Sequence, residues 1–223
     1  MKTNAYAQKH RTASFSTLSL SDYEESPQAT AQLLQWSNQL SHFHFGSFYN
    51  NRFYMDLPMF HSMLLMHKDT LKTIDIGYLS SSGRGRLFNA SDFPRLEVLR
   101  LSRWEMEENL EFSSTEADLL LAPNLKTFGW DFSIYDQHSE SWTDFGKREE
   151  RWVRELARAA IERKAALKKI EIIFNPDGWG FKEEDGYPWD RMDRIRDEIQ
   201  PCGITLRYSE PPLSKESWLE AVP

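Results

Sequence analysis

The 223-residue chain has one cysteine, Cys202. A disulfide within the chain and a cysteine-based zinc cluster are therefore both excluded. A lone thiol fits a reducing compartment. Cys202 follows Pro201 at an expected helix end with no histidine paired to it, so it reads as buried or inert rather than nucleophilic. No apolar run approaches the ~20 residues that span a bilayer, and Met1 to Ser14 lacks the apolar core of a secretory signal. Excess positive charge is missing too. A formal net charge of −7 disfavours nucleic acid and anionic membrane, which both select a basic face. There is no Gly-x-Ser-x-Gly nucleophile elbow. Gly83-Arg84-Gly85 lacks the following helix that a phosphate-binding fingerprint needs. What remains is a soluble protein, expected in cytoplasm or nucleus, monomeric, with no cofactor, no nucleic acid and no membrane.

What is present is a repeated sextet. In Leu96-Glu97-Val98-Leu99-Arg100-Leu101, apolar residues hold the first, fourth and sixth places. The spacing returns at Leu40/Phe43/Phe45, Leu71/Ile74/Ile76, Leu125/Phe128/Trp130 and Leu167/Ile170/Ile172, and more loosely at Phe15/Leu18/Leu20. Self-similarity of this kind marks stacked-repeat architectures, and the sextet reads as the strand of a degenerate leucine-rich repeat. The gaps are uneven, and the widest, from Leu125 to Leu167, exceeds the ~20–29 residues of a regular repeat. The expected fold is α/β: an irregular leucine-rich-repeat-like solenoid, with a curved parallel sheet of six or seven strands and helices on its convex side.

Residues 1–14 are expected as a polar arm, 15–208 as a single repeat domain and 209–223 as a wandering tail onto which Trp218 and Leu219 could dock. Strands are expected at Phe15–Leu20, at the five sextets above and at Ile204–Tyr208. Pro27 and Pro58 each open a helix, the first ending near Asn38, and a short one runs from Ser114 through Leu121. The strongest helical period runs from Lys147 to Lys164, with Trp152, Val153, Leu156, Ala159, Ala160 and Ile161 on one face. A last helix through Met192, Ile195 and Ile199 stops at Pro201.

Alternation puts the third, fifth and seventh places of each sextet on the concave face. The third place carries His42, Thr73, Val98, Thr127 and Lys169, and the fifth carries His44, Asp75, Arg100, Gly129 and Glu171. The seventh adds Gly46, Gly77, Ser102, Asp131 and Ile173. The candidate partner-binding residues are thus His42, His44, Thr73, Asp75, Arg100, Thr127, Asp131, Lys169 and Glu171. Arg and His suit the reading of polar groups on a partner. His42-x-His44 beside Asp75 has the residue types of a metal site, but no further aligned ligand is signalled, and surface histidines are the plainer reading. Asp131, Asp136, Glu140 and Asp144, near Trp142 in the sequence around the longest connection, have the residue type of carboxylate chemistry. There, packing of Trp142 and Phe145 against the Trp152 helix outweighs carboxylate chemistry.

With these residues set out, the chain resembles the C-terminal part of fungal F-box proteins with leucine-rich-repeat-like domains. The run Leu125-Lys126-Thr127-Phe128-Gly129-Trp130-Asp131-Phe132 carries most of the likeness. Asp136–Trp142, Asp144-Phe145-Gly146, the Glu149–Ala160 helix and Leu167–Phe174 follow it, and the likeness covers roughly residues 65–175. The resemblance implies a substrate-recognition domain. The family's F-box opens with Leu-Pro and an acidic residue; here Leu57-Pro58 is the one such dipeptide, with a sextet beginning at Leu71. The expectation is therefore a recognition domain without the ligase-docking box. The function expected is a non-enzymatic protein–protein interaction module for an unidentified protein partner. The alternative is a hydrolase-like α/β enzyme using the concave-face His and Asp residues.

Overall fold

The computed structural model describes residues 10–47, 54–79, 87–106, 111–133, 145–176 and 186–221. Seven strands, β1 (Thr17–Tyr23), β2 (His42–Ser47), β3 (Thr73–Ile76), β4 (Val98–Ser102), β5 (Thr127–Asp131), β6 (Lys169–Ile173) and β7 (Thr205–Tyr208), form one sheet. They lie in sequence order and every neighbouring pair is parallel. Among the described residues six α-helices accompany them: α1 (Pro27–Trp36), α2 (Leu57–Leu64), α3 (Ser114–Leu120), α4 (Lys147–Glu162), α5 (Pro188–Ile199) and α6 (Lys215–Ala221). Parallel neighbours need a crossover between them. Between β3 and β4 the described part of that crossover is a single 3-10 turn, Ala90–Asp92.

The sextet explains the register. Its fourth and sixth places pair laterally from strand to strand, as in Phe43↔Ile74↔Leu99↔Phe128↔Ile170. Its first leucine precedes the strand and is buried in every copy from Leu40 to Leu167. The chain enters β2 to β6 through a shared acceptor. The carbonyl of Lys72 receives the N–H groups of Glu97 and Val98, that of Glu97 receives Lys126 and Thr127, and that of Lys126 receives Lys168 and Lys169. The sextet thus fixes both the buried ladder and the turn that begins each strand.

Helix starts are written in the capping residues. Ser26 accepts from the N–H of Ala29 ahead of Pro27, and Asp56 accepts from Met59 at 2.8 Å. Ser113 and Glu116 form a reciprocal capping box at α3, and Glu149 accepts from the Gly146 N–H at the start of α4. The apolar sides of α1 to α5 join the inward strand residues in one cluster, in which Phe60 lies 4.5 Å from Phe45 and Trp152 4.5 Å from Trp130, centroid to centroid. Helices therefore cover one face of the sheet and the core lies between. The alternate strand residues stay partly exposed on the other face, as the pattern of β3 and β6 records.

Several expectations shift. The first strand starts later than Phe15 and runs to Tyr23. In α4, Ala157 is buried while Ile161 is 40% exposed, so the inward stripe is rotated from the expected one. Phe145 packs on Phe132 and Phe174 and shares one core cluster with Trp152. The tail does not wander. Residues 215–221 are helical, with Trp218 buried against Trp189 and Tyr187 while Leu219 stays exposed. Cys202 is exposed, because it stands in the 3-10 turn beyond α5 rather than beneath it. Residues 10–14 of the expected arm are tied down, with Arg11 N–H donating to Gln35 and Ala13 bridging Ser37. Most of the Phe48–Tyr54 segment, the Ser80–Arg86 loop, and Asp136, Glu140, Trp142 and Asp144 lie outside the described residues.

Candidate functional site

The sheet face opposite the described helices holds the predicted row. His44, Asp75, Arg100, Gly129, Glu171 and Arg207 stand in register on six successive strands. His44 Nδ1 lies 3.4 Å from Asp75 Oδ2, and Arg100 Nη1 lies 3.5 Å from the same oxygen. Arg100 also donates to Glu171 Oε2 from Nη2 at 3.0 Å and from Nε at 3.3 Å. The second Glu171 oxygen takes Lys169 Nζ at 2.7 Å. Charge alternates along the row, and each acidic group is shared by two partners.

Gly129 permits this. Arg100 and Glu171 are separated by a whole strand, about 9.6 Å at the usual spacing. The Arg100 side chain lies across β5 to cover that distance, and a Cβ at position 129 would collide with its Cγ and Cδ. Glycine here provides close approach rather than an unusual backbone angle.

The electrostatics follow the contacts. The hydrogen bond to Asp75 raises the His44 pKa above 6.5 although burial opposes it. Burial would raise the Glu171 carboxyl, but hydrogen bonds from Lys169 and Arg100 hold it below the ordinary carboxylate value. Asp131 is pushed up, first by burial and further by the nearby Asp75 charge, against the Ser133 N–H that donates to it at 2.8 Å.

The remaining candidates divide. Thr73 and Lys169 are partly exposed beside the row, and His42, also on this face, has its Nδ1 engaged by Ser41 Oγ at 2.7 Å. Thr127 is 7% exposed, leaving little of it for a partner. Ser102, expected outward in the seventh place, is fully buried, because its hydroxyl accepts the Trp104 N–H as the chain turns after β4. Arg207 was missed. It continues the row next to Glu171, is exposed, and could have been found by extending the fifth-place reading into Ile204–Tyr208. Among the described residues no group of three His, Cys, Asp or Glu side chains is placed to hold a metal ion, and no helix is long and apolar enough to cross a membrane.

No family model matches the chain, and no curated protein or solved structure does. The functional reading rests on the residues themselves.

Proposed function

We propose that the chain is a non-enzymatic protein–protein interaction module, an irregular leucine-rich-repeat-like solenoid whose concave sheet face receives another protein. It is similar in this reading to the recognition half of an F-box protein. The observation that carries the proposal is the ordered His44–Asp75–Arg100–Glu171–Lys169 row on a sheet face that helices leave open. Pre-positioned charged groups on a rigid sheet contribute specificity and encounter rate more than raw affinity. Two features support the finer points. Parallel strands in sequence order, five of them with a full sextet, are what stacked repeats produce. Leu57 and Phe60, from the helix that Leu57-Pro58 opens, are part of the common core, so this dipeptide does not start a separate module.

Affinity capture from cell extract with wild type and with Asp75→Ala/Arg100→Ala tests the reading. A protein retained by wild type and lost by a folded double variant is the expected result. Equal capture by both removes the face from the account. Turnover abolished by His44→Ala would assign the site to an enzyme.

A further inference from the structure

A second surface emerges from the topology. In a parallel sheet whose strands follow sequence order, every helix-to-strand connection arrives at the N-terminal ends of the strands. In the six connections leading into β2 to β7, residues 37–41, 68–72, 93–97, 121–126, 163–168 and 203–204 carry seven basic side chains against two acidic ones. The chain as a whole carries −7, so this edge opposes the sign of the rest of the molecule.

The arrangement is ordered by the strand-entry hydrogen bonds. Lys72, Glu97, Lys126 and Lys168 occupy the second place of successive sextets, each N–H donating to the carbonyl of the one before. They are consecutive rungs about 4.8 Å apart. Lys72, Lys126 and Lys168 are exposed, and Lys164 stands exposed in the same turn as Lys168. Glu97 is the one acid within this ladder. It pairs with Lys126 at 2.7 Å and is held below its ordinary pKa by Lys126 and then Lys72, so one carboxylate serves two cations. Lys164 and Lys168 make no ion pair among the described residues.

We infer that this edge binds an acidic, extended segment of a partner protein, its carboxylates lying across the Lys72–Lys126–Lys168 ladder. The occupant is a short peptide stretch rather than nucleic acid because the cationic strip is narrow. Screening confines its pull to about 8 Å at physiological salt. A duplex bearing one charge per ~1.7 Å would run off the strip onto an acidic protein. Lysines suit an acidic peptide of varied sequence, since each ammonium acts as a point charge without the directional fork of arginine. The edge is separate from the Arg100 row, so either surface can fail alone.

The test uses the full chain, a fluorescein-labelled octaglutamate peptide and an octaglutamine control, read by fluorescence anisotropy. Wild type should bind octaglutamate saturably and octaglutamine not at all, with affinity falling as salt rises. Lys72→Glu/Lys126→Glu/Lys168→Glu, at exposed positions, should weaken binding at least tenfold with an unchanged circular dichroism spectrum. Arg158→Glu, on the outer side of α4, should leave binding unchanged. The inference is overturned by absence of saturable binding, by equal binding to the triple variant, or by a single-stranded oligonucleotide of equal charge binding as tightly. It is equally overturned by salt-sensitive self-association that the triple variant abolishes, since the occupant would then be a second copy.

Discussion

Arg100 reaches Glu171 by passing over Gly129, two hydrogen bonds of 3.0 and 3.3 Å spanning a strand that contributes no side chain. The glycine is the gap through which β4 and β6 are coupled. Gly129→Ala should therefore force the guanidinium aside and cost about 1–3 kcal/mol, as inserted methyl groups do in packed sites. Chemical denaturation checks the cost. A double-mutant cycle on Arg100→Ala and Glu171→Ala should show coupling in wild type that vanishes in the Gly129→Ala background.

His44 should titrate above 6.5, because the Asp75 hydrogen bond favours the imidazolium. For a base whose pKa is raised on folding, the stabilising contribution is complete below 6.5 and disappears as pH climbs through the folded value. NMR titration of the imidazole resonances reads the midpoint. Asp75→Asn should lower it.

Asp131 has the opposite consequence. Burial raises its folded pKa above 3.8, so the folded state holds the proton more tightly than the unfolded chain. Stability falls as pH rises from 3.8 through the folded value and stays lowered at neutrality. Asp131→Asn keeps an acceptor for the Ser133 N–H and should raise the melting temperature at pH 7, with no gain at pH 3.

A buried pair tests the core beneath the site. Arg103 and Glu149 meet at 2.9 Å with 1% and 5% side-chain exposure. Arg103→Met leaves the Glu149 charge uncompensated and should cost about 3–5 kcal/mol. Adding Glu149→Gln removes that charge while keeping an acceptor for the Gly146 N–H, and should restore most of the loss. Urea denaturation of the single and double variants measures both.

The sheet was legible in the sequence because one sextet sets both the inward ladder and the turn into each strand. The lateral order His44, Asp75, Arg100 followed from the period of two and the parallel register, and these three residues are lateral partners on β2, β3 and β4. The bridge to Glu171 was not legible. Gly129 reads as an empty position until a neighbouring side chain is seen lying in it. Ser102 and Thr127 failed as surface residues because alternation does not say where the chain turns or what leans over it. The α6 helix was missed because Pro211-Pro212 reads as loop, whereas Trp218 finds an apolar seat on Trp189 only in the folded molecule. The basic edge was hidden by a net charge summed over the whole chain, which averages away a feature confined to one class of connection.

Photo-crosslinking tests the docking face most directly. Benzoylphenylalanine would replace Thr73, beside Asp75 on the open face, or Ser62, exposed on α2 in the helical layer. Irradiation in cell extract should attach one protein partner to the position-73 variant, lost on adding Arg100→Ala, and none to the position-62 variant. Crosslinking from position 62 with none from position 73 would place the partner on the helices and contradict the account.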